Sequence, residues 1–139
     1  MLYQTGEADG TVVGIGRIGD VETPMNLKAF AQYVKEQLQL PSLRMYGNAE
    51  KSIHKAAISG GSGKSVVSSA LQKGAEVLIT GDLDYHTCID SVAEGMAILD
   101  AGHYGTEYVF MEHVKSVLNK QFPQLEIKTA SVRHPFQEI

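Results

Sequence analysis

Four side chains stand out for type and spacing: His103 and Glu107, four positions apart, and Asp82 and His86, at the same separation. On a helix, residues i and i+4 share a face with Cβ atoms about 6 Å apart, so His103 and Glu107 can reach one metal ion, or one each of two adjacent ions. Imidazole with carboxylate suits Zn, Mn, Fe or Ni better than Ca or Cu(I), which makes a divalent transition metal the expected cofactor. By itself H-x-x-x-E is a common pattern, and a solvent-exposed pair at a helix start is the bland alternative. Its place directly after an apolar strand and Gly102 is what favours the ligand reading. Asp82 and His86 have two readings, a helix N-cap with a surface neighbour or a catalytic base and its orienter. His113, beside Glu112 and Lys115, reads as surface, and neither His54 nor His134 is assigned a role.

These residues need a scaffold, and the hydrophobic periodicity supplies one. Thr11 to Ile18 reads as a glycine-rich strand ending near Arg17, and Asp20 to Pro24 as a loop. Asn26 caps a helix over Leu27 to Leu40, because Leu27, Phe30, Ala31, Val34 and Leu38 fall on one face and Pro41 stops it. A short apolar run at Leu43 to Tyr46, a strand at Lys55 to Ser59, a small-residue helix from Lys64 to Lys73 and a strand at Val77 to Thr80 follow. Then come a helix from His86 to Gly95, a strand at Ala97 to Asp100, a longer helix from Gly105 to Lys120, and a last strand at Leu125 to Thr129. Strands alternating with helices predict an α/β sheet, parallel in its middle, with helices on its faces. In such sheets ligands gather beyond the carboxyl ends of the strands, so the loops at Ser59 to Lys64, Thr80 to His86 and Asp100 to Glu107 are the ones to inspect.

At 139 residues and 43% hydrophobic content the chain reads as one domain, 1–139, with a core that needs no disulfide staple. Lys and Arg number 12 against 16 Asp and Glu, a net charge of −4 without a basic stripe, so a nucleic-acid partner is not expected. No apolar run approaches the ~20 residues that span a bilayer, and the N-terminus lacks a signal-peptide pattern; no membrane partner and a cytoplasmic location are expected. The single cysteine, Cys88, reads as a small buried hydrophobe.

Two glycine motifs invite a nucleotide reading. Gly14-Ile15-Gly16-Arg17-Ile18-Gly19 matches a dinucleotide fingerprint, but Asp20 to Pro24 stands where a helix should open, so a closely packed strand is favoured. Gly60-Gly61-Ser62-Gly63-Lys64-Ser65 has the end of a phosphate-binding loop, yet Ile58 stands where its first glycine belongs. Anion binding by the backbone and tight strand-to-helix packing are both open there.

In one order, Gly14 to Gly19, Ser59 to Gly63, Thr80-Gly81-Asp82 with Tyr85-His86, and Asp100-Ala101-Gly102-His103-Tyr104 with Glu107 resemble the Ngg-interacting-factor-three-like family, whose members are often labelled GTP cyclohydrolase I type 2 homologues. The resemblance runs from Gly14 to Pro135-Phe136. It implies a three-layer α/β/α protein with a mostly parallel mixed sheet and a dinuclear metal centre, assembled as a ring-shaped hexamer. It places His103 and Glu107 at metal-ligand positions and has Asp82 and His86 line the site. The family's N-terminal half supplies a histidine pair and an aspartate as further ligands; this sequence has no adjacent histidines and corresponds to the C-terminal half. Leu2 to Gly10 resembles sequence that follows an inserted domain.

Two functions from different classes follow. One is part of a metal-dependent, hydrolase-like protein that activates water against a small-molecule substrate of unknown identity, nucleotide-like or otherwise, with Asp82 or His86 handling protons. The other is a non-enzymatic, oligomeric regulatory or interaction protein with a structural metal. Nucleotide binding through Gly60 to Ser65 is a third, weaker reading.

Overall fold

The computed structural model describes residues 1–131 and divides into two compact units, Met1–Thr106 and a second that begins at Glu107. The elements in chain order are β1 (Tyr3–Ala8), β2 (Thr11–Ile15), β3 (Arg17–Asn26), α1 (Leu27–Gln37), β4 (Arg44–Tyr46) and β5 (Ser52–Ser62). A 3-10 turn (Lys64–Val66), α2 (Val67–Gln72), β6 (Val77–Gly81), α3 (Tyr85–Ala93), β7 (Ala97–Asp100), α4 (His103–Glu107) and α5 (Phe110–Gln121) follow.

The first unit is a five-stranded mixed sheet in the order β3-β5-β6-β7-β4. Its central pairs, β5 with β6 and β6 with β7, are parallel, and both edge pairs are antiparallel. Every residue of β6 and β7 is buried, as the continuous apolar runs demand of strands covered on both faces. On one face Leu27, Phe30, Ala31 and Val34 of α1 pack against Ile53, Val77, Ile79, Ala97 and Leu99. On the other, Val66, Ala70 of α2 and Cys88 of α3 cover Ala57, Leu78 and Ile98. The result is the three-layer α/β/α arrangement. Asn26 caps α1 as its side-chain type predicts, its Oδ1 accepting the Ala29 N–H at 2.8 Å.

The glycine-rich N-terminal region differs from expectation. The strand predicted over Thr11 to Ile18 is split at Gly16 (φ +65), and the predicted loop Asp20 to Pro24 lies inside β3. Its turn-like composition is accommodated by a register irregularity between Asp20 and Met25 and by the edge position, where Pro24 forfeits no ladder bond from the sheet interior. Ahead of it, β1 pairs with β2 through Asp9 and Gly10, both at positive φ (50° and 72°), the two-residue Asp-Gly hairpin turn.

The helix predicted over Gly105 to Lys120 is two helices, interrupted at Tyr108 and Val109. α4 is anchored: a Cβ on Gly105 would meet Leu40 at 2.8 Å, and Thr106 is bonded to Gly61. In the second unit α5 has no buried residue, and Phe110, Val114 and Val117 are exposed. Leu125 to Thr129 forms no strand, because an extended segment becomes one only by pairing. His134, Pro135 and Phe136 lie outside the described residues. Among those described, no helix is long and apolar enough to cross a membrane.

Candidate functional site

β6 and β7 run parallel and finish side by side, Thr80 opposite Asp100, and each opens into a glycine turn. The Ala101 N–H donates to the Thr80 carbonyl at 2.8 Å and continues the ladder past the strand end. Gly81 then packs directly on the neighbouring turn: a Cβ there would lie 2.3 Å from the Gly102 carbonyl carbon and 2.5 Å from the His103 nitrogen. Only glycine permits that approach. Asp82 follows in the left-handed region (φ 55), a conformation that Asp tolerates better than most residues but that still costs of order 1 kcal/mol.

That backbone brings Asp82 Oδ2 to 2.9 Å from His103 Nδ1. An ionised carboxylate accepts and does not donate, so in the neutral ring this contact favours the tautomer with the proton on Nδ1. Both side chains are about half exposed (55% for Asp82, 50% for His103), so this contact lies within reach of solvent and of a ligand.

Of the residues singled out by spacing, Asp82 and His103 come together across 21 positions of sequence. The N-cap of α3 is Asp84, whose Oδ1 accepts the Thr87 N–H at 3.0 Å. His86, on the exposed first turn of α3, sets its ring edge-on to Tyr85 at 5.7 Å. Glu107 is the last residue of α4 and the first of the second unit. His54 faces Glu76 at 3.5 Å, and His113 is exposed on α5. Among the described residues no group of three or more His, Cys, Asp and Glu side chains could hold a metal ion.

Both glycine motifs resolve as packing. Gly14 and Gly16 lie at the junction of β2 and β3, where Cβ atoms would strike the Tyr3 carbonyl and Leu2, and no helix follows. In the second motif the Gly61 N–H donates to Thr106 Oγ1 at 2.8 Å and the Gly63 N–H to the Gly81 carbonyl at 3.3 Å. Gly63 has no room for a Cβ, which would sit 2.1 Å from Thr80 Oγ1. Lys64 is paired with Asp84 at 2.8 Å. These two amides and this ammonium, which a phosphate would use, serve the chain's own loops. The lysine, with the Thr87 amide and hydroxyl, holds the Asp84 carboxyl well below the usual carboxylate range.

Sequence reasoning missed three contributors. Thr106 ties α4 to the end of β5, its hydroxyl accepting from Gly61 and donating to the His103 carbonyl at 2.9 Å. Asp100 closes the turn before His103 by accepting the Gly102 N–H at 3.0 Å, and Arg44 stands 3.5 Å from its other oxygen. The D-x-G signature at Asp100 to Gly102 was a legible turn signal. Thr106 and Arg44 carried none, since their partners are far along the chain.

Residues 2–135 match the Duf34/NIF3 (NGG1p interacting factor 3) family. The chain belongs to that family. Among Duf34/NIF3 relatives, a GTP cyclohydrolase 1 type 2 homolog of Streptococcus pneumoniae is 44% identical over 111 residues, which are 77% of this chain and 41% of that protein. Another, from Halalkalibacterium halodurans, is 39% identical over 112 residues, 81% of this chain and 30% of its own length. A crystal structure of a Staphylococcus aureus protein superposes with a TM-score of 0.81 at 34% identity, covering 91% of this chain and 42% of the other. That of a Bacillus cereus protein related to NIF3 gives 0.80 at 28% identity, covering 94% and 37%. This Duf34/NIF3 chain thus spans less than half the length of these relatives.

Proposed function

We propose that the chain supplies one side of a divalent transition-metal centre in a metal-dependent, hydrolase-like protein. His103 and Glu107 are the ligands and Asp82 orients His103. The 2.9 Å contact between Asp82 Oδ2 and His103 Nδ1 carries this reading. Metal-binding histidines characteristically give one ring nitrogen to a carboxylate, which fixes the tautomer, orients the ring and makes Nε2 the ligating nitrogen. Glu107, at the i+4 position of the same helix, is the second donor that helical spacing implies. With no larger ligand group among the described residues, the remaining donors come from outside this set. In the whole protein the centre is dinuclear and the assembly a hexamer, as the family resemblance implies.

When bound, the ion would supply Lewis acidity toward water and a small polar substrate. This chain's own residues would orient His103 through Asp82 and pass protons to solvent through His86, whose exposed place on α3 suits that task. The relatives' name, GTP cyclohydrolase 1 type 2 homolog, supports a nucleotide-like substrate.

Isothermal titration of the purified chain with Zn²⁺, Mn²⁺, Fe²⁺ or Ni²⁺, beside the His103→Ala, Glu107→Ala double variant, tests the proposal. Uptake by the wild type that the variant loses is the expected result. Equal uptake by both removes the half-site from this chain, and none by the wild type shows that the donors from outside it are indispensable.

One observation favours the second reading, a non-enzymatic regulatory protein with a structural metal: Tyr3, Val13 and Ile15 form an exposed apolar row on the β1–β2 hairpin, suited to protein contact. A closed coordination sphere would support it, whereas an exchangeable position supports catalysis.

A further inference from the structure

β7 ends on a carboxylate that the core does not need. The Asp100 side chain is 1% exposed, on the sheet face that also carries Ile98 and that Cys88 of α3 helps to cover. Its Oδ1 accepts the Gly102 N–H at 3.0 Å, closing a turn in which Gly102 takes φ +72 and after which His103 begins α4. Its Oδ2 is buried and accepts no hydrogen bond among the described residues. The facing charge is the Arg44 guanidinium, 3.5 Å away on β4, directly opposite Asp100 in the antiparallel ladder and itself 73% exposed.

An apolar residue at Asp100 would fill this space without the desolvation cost of a buried carboxylate, so packing does not explain it. The geometry does. Oδ1 reaches the Gly102 amide only if the carboxylate plane is fixed, and a cation on the far oxygen fixes it. We propose that Asp100 and Arg44 are positioning residues for His103: Asp100 sets the turn that starts α4, and Arg44, reaching in from the edge strand, holds Asp100 in the orientation that does so.

The chain of contacts is short and each link is covalent or a close contact. Arg44 holds Asp100, Asp100 holds the Gly102 amide, and Gly102 carries His103, whose backbone already abuts Gly81. A tilt at the start of α4 moves the imidazole relative to Asp82, and a hydrogen bond at 2.9 Å between half-exposed groups tolerates little displacement. The Arg44–Asp100 pair therefore governs how completely His103 occupies one tautomer. This deepens the metal-site reading and rests on it only where metal affinity is concerned.

The test uses two readouts on the purified chain. In metal-free protein, long-range ¹H–¹⁵N correlations of the His103 ring at a pH where it is neutral report the tautomer. In the same samples, competition with a chromophoric chelator reports Zn²⁺ affinity. Arg44→Ala, an exposed substitution that leaves the core intact, is expected to turn a single Nδ1-protonated tautomer into a mixture and to weaken Zn²⁺ binding about tenfold, the low end of what outer-shell partners contribute. Asp100→Asn is expected to do the same, and Arg44→Lys to restore both readouts. A merely structural role would lower the melting temperature without moving the tautomer.

An unchanged tautomer in both Arg44→Ala and Asp100→Asn overturns the proposal, whether or not Zn²⁺ binds. A shifted tautomer in a chain that never binds Zn²⁺ supports the positioning role and overturns metal binding by the isolated half-site instead, so the two failures are distinguishable.

Discussion

Replacing Gly81 with alanine probes the contact on which the site is built. The added Cβ would lie 2.3 Å from the Gly102 carbonyl carbon, 2.5 Å from its oxygen and 2.5 Å from the His103 nitrogen. All three are backbone atoms, tethered by the Ala101–Thr80 and Gly102–Asp100 hydrogen bonds, so no side chain can swing aside. Restoring ordinary contact near 3.5 Å requires the two turns to part by about 1 Å. The Asp82–His103 hydrogen bond, 2.9 Å long, spans the same gap and is lost at that separation. Overpacking costs about 1–3 kcal/mol and a half-exposed hydrogen bond roughly 0.5–1, so about 3 kcal/mol is expected. With an unfolding entropy near 0.3 kcal/mol per kelvin for a chain of this length, the melting temperature falls by about 10 °C. Circular dichroism melts of Gly81→Ala against Gly19→Ala check this, because Gly19 has nothing among the described residues within 4 Å of its Cβ position and its substitution separates steric crowding from a general glycine effect. If the two variants melt within about 2 °C of each other, the steric argument fails.

Two further outcomes follow from local chemistry. Asn26→Ala removes the acceptor for the Ala29 N–H and is expected to cost ~1 kcal/mol, about 3 °C in a thermal melt, while Asn26→Asp retains most of the stability; equal melts for wild type and alanine would contradict the capping role. Asp84 is held below its ordinary range by the Lys64 hydrogen bond first and by Thr87 next, so its stabilising contribution is complete above the unfolded carboxyl value near ~4 and fades as the pH drops from there toward the folded value. Urea unfolding of wild type and Asp84→Asn should therefore show a stability gap at neutral pH that narrows below about pH 4; a gap independent of pH would refute the linkage.

The α/β alternation, the apolar stripe of α1, its Asn26 cap and the buried strands Val77–Gly81 and Ala97–Asp100 were legible because each is written in local periodicity or in the chemistry of one residue. So was the His103 to Glu107 spacing, which depends only on helical pitch. The Asp9-Gly10 hairpin was written just as locally and was overlooked. Sequence could not decide what each chemically capable side chain would meet. Asp82 had a local partner four residues on in His86, yet it bonds to His103, because parallel strands end side by side and bring residues 21 positions apart into contact. Gly61 and Gly63 offered amides to a phosphate until folding set Thr106, 45 positions from Gly61, and the Gly81 carbonyl against them. Arg44 had no visible role until the edge strand laid it opposite Asp100. Periodicity and capping are short-range and survive in a linear string, whereas the pairing of polar groups across strand ends is fixed by sheet order and register, which belong to the chain as a whole.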